Sequence, residues 1–135
     1  MDIYRQKAQA PNGYSIETHP HLLSPTISPL FEAFRKEVLA LDPCVTEEFL
    51  KLYVAYKAQT NFVDVVPQAK RLRLSLNMHF PEITDPKGLC KDITGLHRWG
   101  NGDIEVGLST LEELPYVLGL VRQALEKQLG GVDNG

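Results

Sequence analysis

The fold is decided by residues 70–78, which read KRLRLSLNM. Apolar and polar side chains alternate along this stretch. The apolar set is Leu72, Leu74, Leu76 and Met78, and the polar set is Arg71, Arg73, Ser75 and Asn77. Because successive side chains of a strand point to opposite sides, this period of two predicts a β-strand with one buried face and one face in water.

Two more strands are predicted near it. Residues 61–66 alternate in the same way and end at Pro67, so residues 67–69 suit a hairpin connection into the strand at 70–78. Residues 103–108 also alternate. The Asn101-Gly102 pair before them favours a two-residue hairpin turn, because both residue types accept a positive φ.

Residues 46–57 fit either a helix or a strand. Helical spacing would place Phe49, Tyr53 and Tyr56 on one face, whereas residues 50–54 alternate as in a strand. The aromatic and β-branched composition of this stretch favours the strand.

Two amphipathic helices flank the strands. The first begins at the Ser-Pro pair 24–25 or at the Ser-Pro pair 28–29, because serine caps a helix and proline fits its first turn. It is predicted to end at the Asp-Pro pair 42–43, since the residue before proline avoids the helical region. Its apolar face consists of Leu30, Phe31, Phe34, Val38 and Leu41.

The second helix is predicted from Ser109 to the glycine pair 130–131. Ser109 and Glu112 have the spacing of a capping box, and Pro115 indicates a short turn before the main helix. Its apolar stripe consists of Leu114, Val117, Leu118, Val121, Leu125 and Leu129.

These elements predict an α+β fold. We expect a two-layer sandwich in which an antiparallel meander of four or five strands carries the N- and C-terminal helices on one face. The predicted domain covers residues 24–129. Residues 1–23 are expected to be a linker or a flexible N-terminal segment, and residues 130–135 a disordered tail.

Composition indicates an ordinary globular protein. The chain has 135 residues, 43% of them hydrophobic, and a formal net charge of -3. There is no apolar run long enough to span a membrane and no signal-peptide pattern at the N-terminus. Cys44 and Cys90 lie far apart without a partner motif. We therefore expect a cytoplasmic protein with reduced cysteines.

The net charge conceals an asymmetry along the chain. Residues 50–101 hold eight Lys and Arg against four Asp and Glu, a net charge of +4, whereas residues 24–49 and residues 102–129 each carry -3. The strands are therefore expected to be mildly basic and the helices acidic. A basic sheet face is one way to bind nucleic acid.

The candidate binding face consists of Arg71, Arg73, Phe62 and Lys70. Cations there would follow phosphates, and the ring would stack on bases. Two other interpretations remain open. The arginines could pair across strands with Asp103, Glu105 or Asp64, or the face could contact a second copy of the chain or a neighbouring domain.

A candidate pocket surrounds the only tryptophan. The sequence His97-Arg98-Trp99 places a histidine and an arginine beside that ring, and the pocket would be completed by Tyr53, Tyr56 and Asn61. The alternative is that Trp99 closes the rim of the core. No catalytic group, cofactor or metal is predicted, because His19-Pro20-His21 has no second ligand cluster and no phosphate-binding motif occurs.

Several motifs together resemble a known family. They are LYVAYK at 52–57, TNFVDV at 60–65, KRLRL at 70–74, DITG at 92–95 and WGNGDIEV at 99–106. They resemble an uncharacterised bacterial domain, often labelled "predicted transport protein", that is commonly appended to the C-terminus of GmrSD-type modification-dependent restriction nucleases. The resemblance covers about residues 15–128 and carries no assigned catalytic residue.

Two functions follow as hypotheses. The resemblance and the basic middle segment imply a non-enzymatic accessory domain that binds a partner, which would be nucleic acid, a nuclease domain or a second copy through the sheet face. The rival is a small-molecule binding or enzymatic domain with its pocket near Trp99. No membrane partner is expected.

Overall fold

The computed structural model describes residues 13–96 and 102–130, which form one antiparallel sheet with two helices. The helices are α1 (Ser28–Leu39) and α2 (Leu114–Leu129). The strands are β1 (Thr46–Phe49), β2 (Val54–Lys57), β3 (Asn61–Pro67), β4 (Leu72–Leu76), β5 (Lys91–Asp92) and β6 (Ile104–Leu108). Short 3-10 helices span Ile16–Thr18, Pro20–Leu23, Phe80–Glu82 and Leu111–Glu113. The predicted α+β sandwich is confirmed.

The sheet has six strands in the order β1-β2-β3-β4-β6-β5. The expected meander holds for β1 to β4. It fails at the far edge, where β6 pairs with β4 and the two-residue β5 pairs outside β6. Asn101 of the predicted hairpin lies outside the described residues. The edge partner of β6 comes from Lys91 and Asp92, more than a tight turn away along the chain.

The stretch 46–57 is extended, as its composition indicated, but it forms two strands. β1 and β2 pair through Phe49 opposite Val54, and the amide of Leu50 donates to the carbonyl of Tyr53 at 2.9 Å across the turn. The mixed helix and strand signals arose because a tight turn interrupts the alternation.

One face of the sheet packs on both helices. Cross-strand pairs such as Val65 with Leu74 and Leu74 with Val106 bring the alternating apolar residues into one layer. Phe34 of α1 packs on Tyr56 of β2 with ring centroids 5.8 Å apart. The large apolar side chains of this layer are almost wholly buried, so the core lies between the sheet and the helices.

The helix boundaries differ slightly from the predicted ones. α1 begins at Ser28 and stops at Leu39, before the Asp-Pro pair. The capping box joins Thr110 to Glu113, one residue later than predicted, and the short turn expected before Pro115 is the 3-10 helix at Leu111–Glu113. The shift arises because Glu113 also accepts the amide of Ser109 at 2.7 Å.

The packed part of the chain reaches back to Ile16, before the predicted domain boundary at residue 24. Ile16 and Leu22 are buried in the core. His19 is 5% exposed, and its Nε2 donates to the carbonyl of Leu50 at 2.7 Å. Two short helical turns thus attach this segment to the β1–β2 turn. The apolar residues were too sparse for their pattern to reveal it.

The burial of His19 predicts that the protein loses stability in mild acid. Burial lowers the pKa of His19 in the folded state, against a weaker opposing effect of the Leu50 carbonyl. The unfolded chain takes up the proton near pH ~6.5, whereas the folded chain resists it to lower pH. The contribution of His19 is therefore complete above about pH 6.5 and declines as the pH falls through that value.

We expect the free energy of unfolding, measured by urea titration, to decrease between pH 7 and pH 5 and the decrease to be smaller in His19→Gln. Glutamine can still donate to Leu50 but does not titrate. The matched control is His21→Gln, since His21 is exposed. An equal slope in wild type and His19→Gln would contradict the prediction.

Candidate functional site

The face of the sheet away from the helices carries a row of mostly polar residues. The strand registers place them side by side in the order Glu48, Ala55, Asp64, Ser75, Glu105 and Lys91. The row crosses every strand. It is therefore a property of the folded sheet that no single motif displays.

The centre of this row is buried, which corrects the expectation of a face in water. Asp64 is 0% exposed and Ser75 is 1% exposed, and β4 is buried at all of its positions. The side-chain Nδ2 of Asn61 donates to Asp64 Oδ1 at 2.8 Å. Ser75 Oγ has no hydrogen-bond partner among residues 13–96 and 102–130. Alternation correctly predicted the strand, but polar side chains on its second face did not mean exposure.

Glu105 pairs with both arginines of the candidate binding face. Its carboxylate lies 3.4 Å from Arg73 Nη1 and 3.7 Å from Arg71 Nη2. Arg71 lies over Gly107, where an added Cβ would come within 2.6 Å of its guanidinium. The cross-strand pairing proposed as an alternative is therefore present, with Glu105 as the partner.

The structure separates the four residues of the candidate binding face. Arg73 is 6% exposed and Phe62 is 0% exposed. Phe62 belongs to the apolar core, so its ring has no free surface on which a base could stack. Lys70 is exposed and Arg71 is half-buried, and both lie at the β3–β4 turn. Of the four residues, only Lys70 and Arg71 present charge to solvent.

The candidate pocket is also divided. His97, Arg98 and Trp99 lie outside the described residues. Tyr53 is half-buried, and its pKa is raised by burial and then by the nearby charges of Asp64 and Glu48. Tyr56 points to the opposite side of the sheet, because it is three residues away from Tyr53 along an extended chain.

Lys51, Lys70 and Arg71 lie at one end of the sheet, which we call the hairpin end. It consists of the β1–β2 turn (residues 50–53) and the β3–β4 turn (residues 68–71). Lys51 and Leu52 of the first turn line a shallow depression of about 160 Å³ together with Pro67 and His21. Leu52 is 46% exposed. Lys70 and Arg71 follow in the second turn.

Sequence reasoning identified Lys70 and Arg71 but missed Lys51. The signal for Lys51 would have been a turn within residues 46–57, because a turn places its side chain at the same end as the neighbouring hairpin. In the described part of the chain, no ion pair involves Lys51 or Lys70.

The cysteines behave as packing or surface residues. Both are free thiols, Cys44 exposed and Cys90 half-buried. Burial, with the charge of Asp85 added, raises the pKa of Cys90 to about 12. Its thiol is therefore protonated at neutral pH and is a poor nucleophile.

The described ranges contain neither a membrane-spanning helix nor a metal-binding cluster. No helix there is both long and apolar enough to cross a bilayer. No group of three or more His, Cys, Asp or Glu side chains comes together as a metal centre requires.

Comparison with known proteins places the chain among domains without an assigned role. Residues 18–128 match the family described as a domain of unknown function, DUF5655. Over 108 residues the chain is 36% identical to an uncharacterized protein of Haemophilus influenzae. The match covers 78% of this chain but 36% of that protein, so the chain spans about a third of its length. No solved structure matches the chain.

Proposed function

We propose a function from the premise that this chain belongs to the DUF5655 family of domains of unknown function. The chain is a non-enzymatic accessory module that binds the phosphates of nucleic acid through the hairpin end. The nuclease-associated family that its motifs resemble would provide the setting. In such a setting the module would add affinity for the nucleic acid on which a neighbouring domain acts.

The observation that carries this proposal is the position of Lys51, Lys70 and Arg71. They lie on two adjacent turns, where Lys51 and Lys70 are exposed and Arg71 is half-buried. Exposed Leu52 lies next to Lys51 and offers an apolar contact to a sugar or base. Cations at the end of a sheet can follow a phosphate backbone, which is read by charge rather than by sequence.

The match to the Haemophilus influenzae protein supports a modular role. A segment similar to this chain accounts for 36% of that protein, so the domain occurs within a longer polypeptide. An accessory domain beside another domain has this arrangement, and linking two modest binding sites raises the affinity of both.

Nucleic-acid binding predicts a strong dependence on salt at the hairpin end. We expect fluorescence anisotropy with single- and double-stranded oligonucleotides to detect binding at low salt. In the double variant Lys51→Ala with Lys70→Ala, the slope of log K (the association constant) against log salt should become shallower by roughly 2, about one for each cation removed. Arg71 is left in place because its removal would disturb Glu105.

The matched control is Lys36→Ala with Arg122→Ala, which removes the same charge from exposed positions on the helices. It should leave the salt slope within experimental error of the wild type. An equal loss in both double variants would mean that net charge alone matters. No binding of either oligonucleotide at low salt would contradict the nucleic-acid partner and favour a protein partner.

A further inference from the structure

A cleft of about 320 Å³ opens at the end of the sheet opposite the hairpin end. It lies where the chain leaves β4, where β6 begins and where the last turn of α2 ends. The acidic and basic side chains on its walls are His79, Glu82, Asp103 and Lys127. Its volume is within the range of small-molecule sites, about 300–1,000 Å³.

The floor of the cleft is held by hydrogen bonds between distant parts of the chain. Gln128 Nε2 and Asn77 Nδ2 both donate to the carbonyl of Asn61, at 3.0 Å and 2.9 Å. Gln128 Oε1 also accepts the amide of Thr60 at 3.3 Å. These contacts fix α2 against the β2–β3 turn, so the floor is formed before any ligand arrives.

The wall that carries Glu82 is fixed as well. Two residues beyond it, the peptide groups of Thr84 make two hydrogen bonds with the side chain of Gln123 on α2, each 2.8 Å long. The loop is thereby attached to the helix near the cleft. A ligand would not have to order this segment, which lowers the entropic cost of binding.

Within the cleft, a histidine and a lysine each face a carboxylate. His79 Nδ1 lies 3.2 Å from Asp103 Oδ2, and Lys127 Nζ lies 3.4 Å from Glu82 Oε2. The side chains of Lys127 and Glu82 are 47% and 40% exposed. Exposed pairs of this kind contribute little to stability, so a ligand with opposite charges of its own can replace them.

We propose that this cleft binds a small zwitterion, a molecule with a primary ammonium group and a carboxylate group, as in a free amino acid. The ammonium group has three donors, which Glu82 and Asp103 can accept. The ligand carboxylate would pair with Lys127. This site is distinct from the hairpin end and does not depend on nucleic-acid binding.

Amino acids are the probes that test the proposal. Each protein amino acid, added singly at millimolar concentration to the full chain, is followed by thermal shift and then by isothermal titration calorimetry. We expect at least one to raise the melting temperature, because a ligand that binds only the folded state stabilises it. The N-acetyl and the amide derivatives of that amino acid each lack one charge and should bind at least about tenfold more weakly.

Variants locate the site. Glu82→Gln and Lys127→Met should each lower the affinity for the amino acid by about tenfold, since each removes one charged partner. Glu126→Gln is the matched control, because Glu126 is exposed on the same helix turn but does not line the cleft. No response to any amino acid, equal binding of the blocked derivatives, or unchanged affinity in both variants would overturn the proposal.

Discussion

Replacing Arg35 with alanine is expected to lower the free energy of unfolding by about 3–5 kcal/mol, the usual consequence of removing one partner from a buried ion pair. Arg35 Nε and Nη2 each lie 2.9 Å from the Glu47 carboxylate, and the two side chains are 6% and 7% exposed. Without the guanidinium, Glu47 would hold a charge that neither water nor a cation compensates.

The surroundings of Arg35 increase the penalty. Its guanidinium carbon lies 5.8 Å from the centre of the Phe31 ring and 5.7 Å from that of Phe49. Tyr56, fully buried, donates to Glu47 Oε2 at 2.7 Å. Burial alone would lower the pKa of Arg35, but the hydrogen bond and charge of Glu47 raise it overall. One arginine thus connects α1, β1 and β2.

Chemical denaturation of a double-mutant cycle checks this prediction. In the Arg35→Ala background, Glu47→Gln should restore part of the lost stability, because glutamine removes the unpaired charge and still accepts from Tyr56. Lys36→Ala, at the exposed neighbouring position, should change stability by about 0.5 kcal/mol or less. A loss below 1 kcal/mol in Arg35→Ala would show that the pair is not a structural support.

How far the sequence predicted this fold depends on the distance over which each signal acts. The alternation of β4 and the apolar stripes of α1 and α2 are local, and all three elements are present at nearly the predicted bounds. The packing of both helices on one face of the sheet follows from those apolar stripes. The Arg35 to Glu47 pair joins a helix to a strand, and no pattern in either segment pointed to it.

The second face of the sheet was misjudged for the same reason. Arg73 and Ser75 looked like solvent-facing residues because alternation with polar side chains usually means a wet face. Their environment depends on Glu105, which lies on a strand 32 residues away from Arg73 and neutralises it. Register between distant strands decides whether a charge is free or paired, and it follows from tertiary packing rather than from composition.

The two proposed sites at the ends of the sheet differ in how far the sequence could predict them. The sequence singled out Lys70 and Arg71 because they adjoin the clearest strand. The cleft opposite them draws His79 and Glu82, Asp103, and Lys127 from three separate segments, and no single segment displays the set. Such convergence is visible only when the topology is known.

Gly102 is the second position at which a single change should have a large effect. It has a φ of +132°, and an added Cβ would lie 2.3 Å from the carbonyl oxygen of Leu76 and 2.6 Å from its carbon. Both contacts are with the backbone of β4, the central strand, which has no freedom to move aside. Only glycine allows the chain to enter β6 this close to β4.

We therefore expect Gly102→Ala to lower the free energy of unfolding by about 2–4 kcal/mol, from backbone strain and steric overlap together. Gly88→Ala is the matched control. Gly88 also has a positive φ, +66°, but nothing lies within 4 Å of the added Cβ, so its cost should be about 1 kcal/mol. Urea denaturation of both variants measures the difference. Equal losses would mean that dihedral strain alone, and not the approach to Leu76, requires glycine at position 102.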